Sequence, residues 1–158
     1  MSDRVIAIDG PAGSGKSTAA RRLAGALGYT YLNTGAMYRA VALLTDEGGM
    51  ELTDDGAVGS VAASMRFEYR IKDGQQHFLV NGNDRTSELF TTTLTGKLKP
   101  VVNNSAVREV LVAKMREAAL GVLKQGVAGV VMEGRDIGTV VFPDAPLKFY
   151  IHADLEER

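Results

Sequence analysis

The run Gly10-Pro11-Ala12-Gly13-Ser14-Gly15-Lys16-Ser17 satisfies every fixed position of the pattern G-x-x-x-x-G-K-[ST]. Its surroundings match as well. Val5-Ile6-Ala7-Ile8, just before it, is a short apolar run of the kind that forms a buried parallel strand. Ala20, Leu23, Ala24 and Leu27 follow at i, i+3, i+4 and i+7, which places them on one face of a helix that Gly28 ends. A strand, a glycine loop and a helix start are what a phosphate site requires. Glycines let successive N–H groups point inward at an anion, and the helix N-terminus adds partial positive charge. Gly10, Pro11, Ala12, Gly13, Ser14, Gly15, Lys16, Ser17 and Thr18 are therefore the expected stretch for a nucleoside triphosphate. In this pattern Lys16 reaches the β- and γ-phosphates, and the Ser17 hydroxyl ligates Mg²⁺.

The rest of the composition narrows the class. With 158 residues, 45% hydrophobic and 23% charged, the chain is long enough for one domain with a real core. A net charge of −1 gives no overall attraction to nucleic acid or acidic membranes, and the absence of cysteine excludes disulfides and thiolate metal sites. The apolar run after Arg4 is too short for a signal-peptide core or a membrane span. A soluble, cytoplasmic, monomeric protein with small-molecule partners, and neither nucleic acid nor membrane among them, is the expectation.

Along the chain, Tyr29–Leu32 reads as a strand, and Thr34 as the N-cap of a helix striped by Met37, Val41 and Leu44. Arg39 lies in the second turn of that helix, where the plainest reading is a solvated surface arginine. Thr53-Asp54-Asp55 caps a short helix carrying Ala57, Val58, Val61 and Ala62. Met65, Phe67, Tyr69 and Ile71 then alternate with charged residues, Asp73-Gly74 signals a turn, and His77–Val80 returns to Asn81-Gly82. This hairpin interrupts a helix-and-parallel-strand chain, so an inserted subdomain is expected. The two histidines read as structural. Residues 86–104 read as irregular, with Lys97-Leu98-Lys99-Pro100 either a basic patch or, more simply, a solvated loop edge. A long helix follows, capped by Asn104 or Ser105, with Val107, Val110/Leu111, Met115, Ala118 and Val122 as its buried stripe and Arg108 in its first turn. Positive charge is disfavoured at that end of a helix. Val127–Met132 is a second buried strand. It leads to Glu133, the type of residue that holds Mg²⁺ or its water opposite a phosphate loop, and to Arg135 and Asp136 at the ligand-binding end of the sheet. Leu147–His152 reads as a further strand and Asp154–Arg158 as a helix start.

Three segments together resemble the bacterial cytidylate kinase family: residues 7–17, Asn33-Thr34-Gly35-Ala36-Met37-Tyr38-Arg39, and residues 133–145, beginning Glu133-Gly134-Arg135-Asp136. The resemblance runs the full length of the chain, more loosely between residues 45 and 105. It implies an α/β phosphate-loop NTPase fold, with a parallel sheet flanked by helices and an inserted antiparallel hairpin subdomain. Residues 1–158 would be a single nucleoside-monophosphate-kinase core, with 53–104 as the acceptor-binding insert. It also implies ATP as phosphoryl donor, Mg²⁺ as cofactor, and CMP or dCMP as acceptor. Lys16, Arg39 and Arg135 would be catalytic. Thr34, Arg39 and Arg135 would hold the acceptor phosphate, and Arg108 and Asp136 would read cytosine. Ser17, and Glu133 through water, would serve the metal. Competing expectations are a nucleotide-binding core with little turnover and a phosphate-loop kinase for UMP or another small molecule. A GTPase is disfavoured because no N-K-x-D motif occurs. The chain departs from the family at Lys99, usually a small hydroxyl residue, and at Phe90, commonly basic. The family pattern also continues past residue 158 with a mobile lid and a last strand, so a form lacking the C-terminal lid region is expected.

Overall fold

The computed structural model describes residues 2–154. In chain order its strands and helices are β1 (Val5–Asp9), α1 (Lys16–Leu27), β2 (Thr30–Asn33), α2 (Gly35–Glu47), α3 (Asp55–Ser64), β3 (Phe67–Lys72), β4 (Gln75–Val80), β5 (Asn83–Asp84), α4 (Thr86–Leu89), α5 (Thr92–Gly96), α6 (Leu98–Asn103), α7 (Ser105–Lys124), β6 (Val130–Gly134) and β7 (Leu147–Tyr150). The helix start expected from Asp154 lies, beyond its first residue, outside the described residues. The chain divides into two compact units. One is formed within residues 1–34 and 115–158, the other by residues 35–114.

The first unit is built on a parallel sheet in the order β2-β6-β1-β7. All five residues of β1 are buried, as a central parallel strand covered on both faces must be. Ile6, Ile8 and Val131 from the sheet meet Ala20 and Ala24 of α1, with Leu23, Tyr29, Tyr31 and Ile151 around them. The expected α1 stripe fails at its last member, because Leu27 is 47% exposed. Gly28 turns left-handed (φ 65°), and the Tyr29 N–H closes onto the Ala24 carbonyl at 2.9 Å. Tyr29 thereby packs on the core beyond the helix end, and Leu27 stays outside it.

β6 begins three residues later than the apolar run suggested, at Val130. A buried apolar run does not mark its own first paired residue. The shift puts Glu133 inside the sheet, in register with Ile8 on one side and Asn33 on the other. After β6 the chain forms a π-helical turn, Ile137–Val141, that the sequence reading did not anticipate. The Arg116 guanidinium of α7 donates to the carbonyls of Val141 and Val140, each at 2.8 Å, and secures that turn.

In the second unit, α2 is the hub on which α3, α4, α5 and α6 pack. Ala36, Met37, Ala40, Val41 and Ala42 are buried there, whereas Leu44, expected in the stripe, is only half-buried. β3 and β4 form the expected hairpin. Asp73 and Gly74 have φ of 52° and 73°, the two left-handed positions of a type I′ turn. Asn81-Gly82 repeats the device and adds β5, so the insert carries three antiparallel strands rather than two. Residues 86–104, expected to be irregular, form three short helices. Each is too short to show a period, and Leu89, Leu94 and Val101 are their buried residues. Asn104 caps α7 by accepting from the Val107 N–H at 3.1 Å. The buried stripe of α7 is Val107, Leu111, Met115, Ala119 and Val122, with Leu123 beside it; it steps by four where Ala118 was expected, and Ala118 is half-buried.

Candidate active site

The phosphate loop spans the end of β1 and the start of α1, and its glycines are needed for two different reasons. Gly13 and Gly15 are left-handed (φ 73° and 82°), and Gly15 has open space around it, so backbone angle alone demands glycine there. A side chain on Gly10 would collide with the Ile151 carbonyl and approach Ser14 Oγ to 3.0 Å, so there the demand is for space. Ser14 Oγ is the one buried side-chain polar atom without a hydrogen-bond partner among the described residues. A buried hydroxyl left unmatched inside a glycine loop fits a ligand that brings acceptor oxygens. Lys16 Nζ donates to the Pro11 carbonyl at 3.0 Å. Burial lowers the Lys16 pKa, and so does the Arg135 charge, while Glu133 and Asp9 oppose the shift.

Glu133, 2% exposed, is the acidic residue beside the loop. Ser17 Oγ donates to its Oε2 at 2.9 Å, and the Tyr31 hydroxyl donates to its Oε1. Burial, reinforced by the Glu133 carboxylate, raises the Tyr31 pKa well above the ordinary phenol value. Two hydroxyls thus hold a buried carboxylate where a cation would complete it. Among the described residues, no three His, Cys, Asp or Glu side chains cluster to cage a metal. Ser17 and Glu133 offer the sparse oxygen set that suits Mg²⁺, which keeps most of its waters and takes its other ligands from substrate phosphates. The residues present therefore fit the group.

Thr34 is buried, and its Oγ1 donates to the Glu133 carbonyl at 2.7 Å, so its hydroxyl proton is already committed. Gly134 has to be small because a Cβ there would lie 2.6 Å from Thr34 Oγ1. Arg135 is exposed and lines an open cleft of about 280 Å³ with Gly10, Pro11, Ala12 and Tyr150. Asp136 is half-buried, and its carbonyl accepts from Val140 and Val141 at the π-helical turn.

Two residues of this unit escaped the sequence reading. Asp9, 6% exposed, accepts from the N–H groups of Ile137 (2.7 Å) and Gly138 (2.8 Å), tying the strand before the loop to the segment after Arg135-Asp136. A carboxylate ending an apolar strand was the available signal, since a buried charge needs donors. Tyr31 looked like an ordinary strand aromatic, and only the register of β2 on β6 brings it to Glu133.

The second unit holds Arg39 and Arg108. The surface reading of Arg39 is overturned. It is half-buried, its Nη1 donates to the Leu89 carbonyl (3.1 Å) and Thr95 Oγ1 (2.7 Å), and its guanidinium lies 5.0 Å from the Phe90 ring centroid. Burial lowers its pKa. Arg108 is exposed in the first turn of α7. Lys97 is not part of a basic patch, for its ammonium is paired with Asp46 at 2.8 Å; Lys99 is exposed. His77 keeps a structural place, its Nδ1 2.7 Å from Asp84 Oδ2. Hydrogen bonds from Thr86, and then the one with His77, hold the Asp84 carboxyl down at about 2.

A parallel sheet, a glycine loop at a strand end and a buried acid tied to the loop's serine define a phosphate-loop nucleotide-binding protein of the α/β class. Comparison with known proteins makes this specific. The family model described as cytidylate kinase matches residues 6–158, and the chain belongs to that family. It is 46% identical over 153 residues to a cytidylate kinase of Caldanaerobacter subterraneus subsp. tengcongensis, covering 97% of this chain and 64% of the relative. It is 45% identical to one from Pelotomaculum thermopropionicum (97% and 66%) and 44% identical to one from Mycolicibacterium paratuberculosis (99% and 67%). The chain spans about two thirds of the length of these curated relatives.

Proposed function

We propose that the protein catalyses ATP-dependent phosphoryl transfer to CMP and dCMP, giving the corresponding diphosphates. The observation that carries this reading is the Ser17–Glu133 pair at the phosphate loop, in a chain of the cytidylate kinase family. The acceptor is itself a phosphate, whose second pKa of about 6 leaves it mostly dianionic at neutral pH. It needs no general base. What limits such a reaction is repulsion between two polyanions and their alignment, which positive charge and positioning overcome.

The residues divide that work. Gly10 to Thr18 receive the donor phosphates, with Lys16 turning from the Pro11 carbonyl to the transferring group. Ser17 would hold Mg²⁺ directly and Glu133 through water, and the ion would supply positive charge against that developing on the phosphates. Arg39 and Arg135 hold the acceptor phosphate, joined by Thr34 once its hydroxyl proton turns from the Glu133 carbonyl. Asp136 accepts from the exocyclic amine of cytosine, and Arg108 donates to its unprotonated ring nitrogen. Uracil would set a carbonyl against Asp136, a mismatch of about 1–3 kcal/mol in a buried site. The same proposal takes the working form to be a cytoplasmic monomer. Near-neutral charge supports small-molecule rather than polyanionic partners, and no helix among the described residues is long and apolar enough to cross a membrane. Coupled ADP release measured across nucleoside monophosphates tests the assignment, with Lys16→Ala as the control.

A further inference from the structure

Resting on the proposed role of Arg39 toward the acceptor phosphate, we infer that Phe90 and Thr95 are positioning residues. They lock one nitrogen and one face of the Arg39 guanidinium, so that its Nε–Nη2 edge is left to grip a phosphate.

Two arginines of the 35–114 unit differ in what they bind. Arg85 spends its donors on carboxylates, Glu47 and Glu88, as a structural arginine does. Arg39 is half-buried as well, yet among the described residues it makes no ion pair. Both of its hydrogen bonds leave from Nη1 and both acceptors are neutral, the Leu89 carbonyl and Thr95 Oγ1. Neutral acceptors orient a guanidinium without cancelling its charge. Nε and Nη2 point along the same edge of the group, and that edge matches two oxygens of a phosphate.

Thr95 is set for this task. Its hydroxyl proton is given to the Thr91 carbonyl at 2.9 Å, so its oxygen faces Arg39 only as an acceptor. Thr91 in turn caps α5 through the Leu94 N–H at 3.3 Å. Phe90 is braced from behind. Its ring lies 5.6 Å from that of Phe78, which lies 5.8 Å from Tyr69 and 6.0 Å from Phe67. A continuous row of rings thus runs from the antiparallel sheet to the face of Arg39. Phe78 is 4% exposed whereas Phe90 is 45% exposed, so the row ends at the surface on a cation rather than in a core. The inserted sheet accordingly serves as a stop against which the arginine is held.

The test uses Thr95→Val, Thr95→Ser, Phe90→Leu and Phe90→Tyr in the full chain, with Arg39→Ala as reference. KM for CMP, KM for ATP, kcat and thermal stability are read for each. Thr95→Val and Phe90→Leu should each raise the CMP KM about 5–10-fold, the range for one charge-assisted hydrogen bond or one cation–π contact, with the ATP KM within about twofold. Thr95→Ser and Phe90→Tyr should return it to within about twofold of the parent, and Thr95→Val should add nothing on top of Arg39→Ala. If Arg39→Ala raises the CMP KM but Thr95→Val and Phe90→Leu do not, or if they raise both KM values equally without rescue, the positioning role is overturned. If Arg39→Ala itself leaves the CMP KM unchanged, the role of Arg39 falls first and this inference with it.

Discussion

At the scale of single residues, Lys16 and Glu133 carry the chemistry proposed for the site, and each can be perturbed with a signed expectation. Partial burial of the Lys16 ammonium, opposed by the Glu133 and Asp9 charges and aided by that of Arg135, lowers its pKa from the ordinary lysine value. Bound phosphate oxygens favour the charged form and raise that pKa again. The nucleotide-bound state therefore holds the proton more tightly than the free state. Affinity is full below the pKa of the free form and falls as pH rises through the interval between the two values, where binding takes up a proton. Calorimetric titration with ATP between neutral and alkaline pH, in two buffers of different ionisation enthalpy, should show this uptake, and Lys16→Arg should abolish it. Equal proton balance in parent and variant would show that Lys16 does not meet the phosphates. At Glu133, Tyr31→Phe deletes one of two hydroxyl donors to a buried carboxylate. The expected cost is about 1–3 kcal/mol in urea unfolding, whereas a shift below a few tenths would mean that the Tyr31 contact contributes little to the fold.

Among the elements, the caps of α3 and α7 allow a controlled comparison, because both lie in the 35–114 unit and use the same bond. Asp54 accepts from Ala57 N at 3.0 Å in an exposed position. Asn104 accepts from Val107 N at 3.1 Å, is 4% exposed, and also donates to the Asp55 carbonyl at 3.1 Å. Asp54→Ala should cost about 0.5–1 kcal/mol and Asn104→Ala about 1–3 kcal/mol, since only the second strands a buried N–H, that of Val107. Equal losses in equilibrium unfolding would contradict the difference in burial on which this rests. The long or strongly periodic elements are legible in the sequence. β1, α1, α2, α7 and the hairpin carry their period or their turn residues in the sequence itself, as Asp73-Gly74 does with two left-handed angles. The three short helices between residues 86 and 103 were not legible. They are held by packing on α2, and α5 also by its Thr91 cap, rather than by propensity, and four to six residues cannot display a helical period.

For the molecule as a whole, the readable and unreadable parts of the site divide along the same line. Gly10 to Ser17, Glu133, Arg135 and Asp136 announce themselves because phosphate chemistry fixes their type and spacing, or because they follow a buried strand end. Tyr31 and Asp9 reach their partners across about a hundred residues or more of chain, through parallel pairing that no local pattern encodes. Arg39 became a candidate ligand only through the family resemblance, since the residues around it read as a solvated surface, and its environment was not legible. Leu89, Phe90 and Thr95 come to it from the segment that looked irregular. The proposed activity, phosphoryl transfer from ATP to cytidine monophosphates, draws on binding, stability and positioning together. The most direct test is steady-state kcat/KM for CMP, dCMP, UMP, AMP and GMP, in parent and Lys16→Ala protein, by coupled ADP release. The account predicts that CMP and dCMP exceed UMP by about tenfold or more, as a mismatch against Asp136 implies, and that Lys16→Ala lowers kcat by at least about a hundredfold. A preference for UMP or a purine monophosphate, or full turnover without Lys16, would contradict it.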